Sequence, residues 1–446
     1  MRQEISKNFI RSHRLGLIKP FAAISKRVRE KILNNVNFNV NMIPGELVYA
    51  DFITDSLIHS LIKQPTSMGR CSTEASYISL GDTFKKYFGY KHVLPIAQGR
   101  MAEIILAKVM AKNAMVIPSN MLFITTRLHQ ELNGATVKEI PVSQAYDLES
   151  EFTFKGNIDT IALRELIKEH GKSWIPYIYV ETCVNASGGH PVSMENIREV
   201  NQIARENDIP VILDACRILE NAYLIKEREK GYGDKSIKDI VKEFCSYSDG
   251  ATMSATKDFF TDSGGFIATN DEKIYYQAQD AVMVFGDGLS IRAKASLNDA
   301  IEKTFRDEPR IPSRLRQAKY LWGKLDRAEL PVIKPYGGHA VFLDTKDLYS
   351  GLSEDDHPEK AFLAALYRLS GVRAGENILT PTQAKMGIKM LRFAIPPNLL
   401  SMEKISYAGN EIISLWNKRR DLKGLKKVYQ PPSLSGSFFA EYEQKI

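Results

Sequence analysis

The feature that most constrains this chain is the alternation, through its middle, of short β-branched runs with longer stretches of helical periodicity. Ser193 is placed to cap a helix over Met194 to Glu206, in which Ile197, Val200, Ile203 and Ala204 recur at helical spacing. Asn207-Asp208 makes a turn, and Ile209-Pro-Val-Ile-Leu213 then reads as a buried strand that ends on Asp214. Earlier, His92 to Ile96 reads as a strand, Gln98-Gly99-Arg100 as a turn and Met101 to Lys112 as a helix. Repeated βα units of this kind predict an α/β domain with a mostly parallel sheet, because parallel strands need crossover connections.

After about residue 310 the pattern changes. Glu308-Pro-Arg-Ile-Pro-Ser-Arg314 reads as a connector, followed by a Gly337-Gly338 turn, a helix near Lys360 to Leu369 and a terminal helix near Met402 to Lys418. The predicted organisation is an arm over residues 1–57 that joins the smaller domain, a large domain over 58–310 and a smaller α+β domain over 311–446.

Composition narrows the function classes. The net charge of +7 is spread along the chain, densest at Lys26 to Lys31 and Lys418 to Lys427, without aromatics interleaved on one basic face. No nucleic-acid partner is expected from that pattern. Four cysteines, Cys71, Cys183, Cys216 and Cys245, form no CxxC pair and read as free thiols in a reducing compartment. The N-terminal stretch MRQEISKNFIRSHRLGL lacks an apolar signal core, and no run approaches the roughly 18 apolar residues of a membrane span. A cytoplasmic address is the expectation, with no membrane partner.

The chemistry collects after predicted strands. Ligands of open α/β sheets bind beyond the carboxyl ends of the strands. Asp214 sits there, with Arg217 three residues on, Asn185 after the strand Tyr177 to Val180, and Lys257 after a short strand Gly250 to Met253. Pyridoxal phosphate needs this combination. A lysine amine holds the aldehyde, a carboxylate keeps the pyridine nitrogen protonated, and hydrogen-bond donors flank the phenolic oxygen. Gln98-Gly99-Arg100 fits a phosphate cradle at a helix start, Ser254 could add a contact, and Phe123 could stack on the ring.

Longer stretches then carry a resemblance. Asn185-Ala-Ser-Gly-Gly-His-Pro-Val-Ser-Met194, Ile209-Pro-Val-Ile-Leu-Asp-Ala-Cys-Arg217, Glu220-Asn-Ala-Tyr223 and Met253-Ser-Ala-Thr-Lys-Asp258 with Gly264-Gly265 resemble the tyrosine phenol-lyase and tryptophanase family of β-eliminating lyases. So do Gln98-Gly-Arg100 with Glu103, Thr125-Thr-Arg127, His129-Gln-Glu-Leu-Asn-Gly134, Gly337-Gly-His-Ala-Val-Phe-Leu-Asp344 and Leu391-Arg392. The likeness runs from about Phe21 to Phe439 and is closer to tyrosine phenol-lyase.

The resemblance implies the type I pyridoxal-phosphate fold: an aspartate-aminotransferase-like large domain with a mostly parallel seven-stranded sheet, and a smaller α+β domain. It implies a homo-oligomer, dimer or tetramer, with shared active sites. Lys257 would be the Schiff-base lysine and base at Cα, Asp214 would pair with the pyridine nitrogen, and Phe123 would stack on the ring. Asn185 and Arg217 would flank the phenolic oxygen; Gln98, Gly99, Arg100 and Ser254 would hold the phosphate. Arg392 would receive the substrate carboxylate, and Thr54 and Ser56 would line the substrate side. Phe438 and Phe439 are aromatic enough to cap a pocket.

The departures fall on the substrate side. The stretch holding the family's acid tyrosine is shorter here and reads Ser67-Met-Gly-Arg-Cys-Ser72, with no tyrosine until Tyr77; Arg70, Cys71 or Tyr77 would have to replace it. Ile124 and Asn377 stand where a threonine and an arginine recognise the phenol, and Thr256 stands where a lysine is usual. Leu57 replaces a glycine of the monovalent-cation (potassium) site. Losing a positioned general acid costs roughly 10²–10⁴-fold. The expectation is therefore an amino-acid β-eliminating lyase that releases pyruvate and ammonia but does not use tyrosine or tryptophan. β-Replacement, retro-aldol cleavage, transamination and a non-catalytic cofactor-binding protein are the alternatives.

Overall fold

The structure, a computed structural model, describes residues 24–53, 75–261, 263–286, 288–307, 310–396, 400–433 and 436–445. Two compact units divide the chain. One holds Gly69–Leu315 together with Ile378–Thr382; the other holds Arg316–Asn377, Gln383–Ile446 and the described residues of the first 68.

The larger unit is built on a seven-stranded sheet. Its strands in chain order are β1 (His92–Ile96), β2 (Val116–Ser119), β3 (Thr136–Glu139), β4 (Ile178–Glu181), β5 (Val211–Asp214), β6 (Gly250–Ser254) and β7 (Gly265–Thr269). Their spatial order is β1-β7-β6-β5-β4-β2-β3. Strands β3, β2, β4, β5 and β6 run parallel, while β7 pairs antiparallel with both β6 and β1. Strands β4 and β5 are buried at every position. That is the burial expected of parallel strands covered on both faces. Ile105, Leu106, Ile117, Tyr179, Ile212 and Ile267 pack around the sheet.

Helix α1 (Gly99–Met110) follows β1, α2 (Ile124–Leu132) follows β2, and α3 (Met194–Glu206) runs between β4 and β5. Helix α4 (Ile218–Arg228) follows β5, and the four-residue α5 (Ala255–Asp258) follows β6 directly. The Ser193 side chain accepts from the Asn196 backbone N–H, as its capping position predicts.

The smaller unit carries a four-stranded sheet in the order Ala50–Phe52, Val372–Glu376, Met390–Ala394, Ala340–Asp344. The first pair is parallel and the other two are antiparallel. Phe52, Phe362, Phe393 and Trp416 lie in its core. Arg373 pins the N-terminal strand, donating from Nη2 and Nε to the two oxygens of buried Asp51 at 2.6 and 3.0 Å.

Several boundaries differ from the sequence reading. The expected connector is instead the start of a helix, Arg310–Asp326, with Pro312 in its first turn. A proline is tolerated there because the first N–H groups have no helical partner anyway. Helix α1 begins at Gly99 rather than Met101, so its first amides lie inside the Gln-Gly-Arg turn. Strand β4 runs one residue further than read, through Glu181.

Candidate active site

Parallel strands deliver their carboxyl ends to one edge of the sheet. Strands β4, β5 and β6 end there on Glu181, Asp214 and Ser254. Glu181 and Asp214 are register partners on adjacent strands. Asp214 is buried, and its Oδ1 accepts from the Cys216 N–H at 3.1 Å. The Cys216 Sγ in turn accepts from the Ser254 N–H at 3.2 Å, so this thiol links the ends of β5 and β6.

Three backbone segments converge around Gly99. A Cβ placed there would lie 2.5 Å from Ser254 Cβ and 2.7 Å from Ser254 Cα. One added at Gly265 would lie 2.9 Å from Gly99 N. Only hydrogen fits at either position. The close approach leaves the first amides of α1 at the strand ends, the usual anion-binding arrangement of a helix N-terminus. Gln98 is the N-cap but its side chain makes no capping bond, and both Gln98 and Arg100 are exposed.

Lys257 sits in α5 with its Nζ 5.6 Å from the centre of the Phe123 ring. Phe123 is the N-cap residue of α2, and Ile124 opens that helix. Ser254 and Thr256 share a hydroxyl–hydroxyl bond of 3.0 Å. Arg217 is buried at the N-cap of α4, its Nε 3.9 Å from Glu220 Oε2.

A buried charge cluster fixes the backbone carrying Lys257 relative to that carrying Arg217. Arg314 ion-pairs with Glu220, and its Nη2 lies 3.2 Å from Asp258 Oδ1, with all three side chains at most 1% exposed. Asp258 Oδ2 also accepts from the Leu219 N–H at 2.8 Å. Burial, reinforced by the Glu220 charge and opposed by Arg314, raises the Asp258 carboxyl to about 8.

Glu181 escaped the sequence reading. Its Oε2 accepts from the Phe123 N–H at 2.5 Å and its Oε1 from the Asn185 N–H at 3.0 Å. The signal was present: an acid closing the apolar run Tyr-Ile-Tyr-Val, as Asp214 closes Val-Ile-Leu.

The structure thus brings Gly99, Phe123, Asn185, Asp214, Ser254 and Lys257 around one sheet edge, with Gln98, Arg100 and Arg217 on adjoining helix starts. Four other candidates belong to the smaller unit. Arg392 is half-buried opposite Phe342, and Asn377 is buried with its N–H bonded to Met390 O at 2.9 Å. Phe438 and Phe439 are exposed in the turn Gly436–Phe439. Thr54, Ser56, Leu57, Arg70 and Cys71 lie outside the described residues, as does the Tyr77 side chain. Among the described residues, no helix is long and apolar enough to cross a membrane.

Known proteins match this arrangement at two levels. Structures of a Leishmania major threonine aldolase and an archaeal alanine:glyoxylate aminotransferase share the fold at 12% and 15% identity. Their TM-scores are 0.57 and 0.58, covering 82% and 89% of this chain and 99% and 96% of theirs. Fold and sequence together define a type I pyridoxal-phosphate enzyme, a lyase. The β-eliminating lyase family model matches residues 68–397. Tyrosine phenol-lyase of Pasteurella multocida is 37% identical over 97% of this chain and 98% of its own, and that of Nostoc punctiforme is 33% identical over 96% and 95%. The chain belongs to the β-eliminating lyase family.

Pyridoxal phosphate is the cofactor of that family, and the residues present fit it. A Cβ at Gly99 would clash with the Ser254 backbone, so the first amides of α1 lie against the end of β6, at the sheet edge that also carries a lysine amine and a buried acid. Gly99→Ala is accordingly expected to weaken binding of the cofactor by at least about tenfold, since Ser254 backbone cannot yield as a flexible side chain would. Fluorescence titration of the cofactor-free variant checks this; an unchanged affinity would place the phosphate elsewhere.

Proposed function

We propose that this enzyme eliminates a β-substituent that leaves as a soft anion, such as a thiolate, from an amino acid, giving pyruvate and ammonia, and that tyrosine is not its substrate. The cofactor, when bound, supplies an electron sink for negative charge at the substrate's α-carbon. Lys257 is the amine that holds it and the base that takes the α-proton. The Asp214 carboxylate would keep a proton on the pyridine nitrogen, while Asn185 and Arg217 would donate beside the phenolic oxygen and Phe123 would pack against the ring. The amides of Gly99 and Arg100, with Ser254, hold the phosphate. By the family resemblance, Arg392 is the residue assigned to the substrate carboxylate.

The observation that carries the choice of leaving group is a cleft within the large unit. It is a narrow crevice lined mainly by Leu122, Ile124, Ile378 and Leu379, with Thr380, beside Phe123 and Asn185. Arg127 also lines it, but its guanidinium is engaged by Glu131 and Glu139 at 2.7 Å each. Glu139 is further held by the Thr382 hydroxyl at 3.0 Å. A phenol oxygen placed against that aliphatic wall would lose its water without a committed cationic partner. A thiolate or alkylthiolate tolerates such a wall and departs without protonation at carbon.

The test is a comparison of S-methylcysteine with tyrosine by pyruvate release. The expected kcat/KM ratio favours the thioether by about 10²-fold or more, the smaller end of what a missing general acid costs. Tyrosine turned over as well as the thioether would reject the substrate assignment while leaving the elimination chemistry in place. α-Proton exchange without pyruvate would instead point to replacement or aldol chemistry.

A further inference from the structure

We propose that Glu181 is a positioning residue of the cofactor pocket, whose carboxyl bridges the main-chain amides of Phe123 and Asn185 and so fixes the stacking ring and the phenolic-oxygen donor relative to each other. The inference rests on the reading that Phe123 and Asn185 flank the cofactor.

Three features of the fold place Glu181 in that role. It ends β4 as the register partner of Asp214, so the two acids sit on neighbouring strands at the same level. Each of its oxygens takes one amide, from Phe123 at 2.5 Å and from Asn185 at 3.0 Å. Those amides belong to different crossovers, one after β2 and one after β4, so a single carboxyl joins two segments from opposite sides of β4 in the chain. The bridge is itself anchored from below. Asn120 Nδ2 donates to Glu181 O at 2.9 Å, and Asn120 Oδ1 accepts from Glu181 N–H at 3.0 Å.

The electrostatics agree with this placement. Burial first, and the Asp214 charge second, push the Glu181 carboxyl up to about 8, against the two amides and Lys257, which favour its charged form. Two neighbouring buried carboxyls do not both ionise readily. Whatever its charge, the side chain is held by one amide at each oxygen.

A glutamine at this position accepts through one oxygen and presents an NH₂ to the other amide, which unseats either Phe123 or Asn185. Glu181→Gln and Glu181→Asp are therefore compared with wild type in the cofactor-loaded enzyme. The readouts are the cofactor's visible circular dichroism, its dissociation constant, and kcat and KM separately. The expected result for Glu181→Gln is a changed dichroic band, cofactor binding weakened about tenfold and a fall in kcat with little change in KM. Glu181→Asp, one methylene shorter, keeps the carboxyl but cannot span both amides, and it is expected to show the same spectral change. Unchanged dichroism and affinity in both variants would overturn the proposal, even if thermal stability fell. So would failure of both variants to fold, since the residue would then be structural. If wild-type protein itself bound cofactor without involving Lys257, the underlying reading of the site would fail instead, a result seen without any change at position 181.

Discussion

Replacing Lys257 with alanine is expected to abolish pyruvate formation and to remove the visible absorbance of the bound cofactor in the same variant. The side chain is asked to do two jobs, holding the aldehyde and taking the α-proton, so the loss should reach about 10⁴-fold or more. Its position makes both reasonable: α5 springs directly from β6, and Nζ projects to within 5.6 Å of the Phe123 ring centre. Because neighbours in such a constellation act as a unit, losses in further variants should not add to this one. The two readouts also discriminate. A variant that kept the absorbance but lost turnover would assign Lys257 to proton transfer alone; full activity would remove it from the site altogether.

The second large effect concerns stability. Arg314→Met is expected to destabilise the cofactor-free protein by about 3–5 kcal/mol, the usual consequence of removing one partner from a buried ion pair. Here the exposure of Arg314, Glu220 and Asp258 is at most 1% each, so the two acids left behind would lack water and their nearest cation, keeping only Arg217 at 3.9 Å from Glu220. The cofactor-free form is the right one to measure, because bound cofactor would mask the change by mass action. Urea midpoints of wild type and variant give the answer. A midpoint that did not move would mean that the cluster is hydrated in solution and does not hold α4 against α5.

The sheet edge that gathers Asn185, Asp214 and Lys257 was legible in the sequence because these residues follow apolar runs whose burial is unambiguous. Val-Ile-Leu-Asp214 and the Ser193 cap are examples, and both elements formed where the pattern put them, with β5 starting at Val211. Glu181 was missed for a physical reason. An acid after Tyr-Ile-Tyr-Val looks like the polar end of a strand, and only the tertiary partners, two amides and a neighbouring acid, turn it into a buried group. The stretch from Arg310 read as a connector because proline usually breaks helices, yet a proline in the first turn costs no helical bond. The return of Ile378–Thr382 to the large unit left no local trace at all. Short segments without periodicity declare their place only through distant contacts. Their side chains nonetheless line the cleft beside Phe123 and Asn185.

The direct test of the central assignment is chemical. Purified enzyme carrying its cofactor is reduced with borohydride, digested and mapped by mass spectrometry. The account predicts a single modified peptide, containing Lys257, with the pyridoxyl phosphate mass on that lysine. A label on a different lysine, or protein that remains unmodified after reduction, would contradict it.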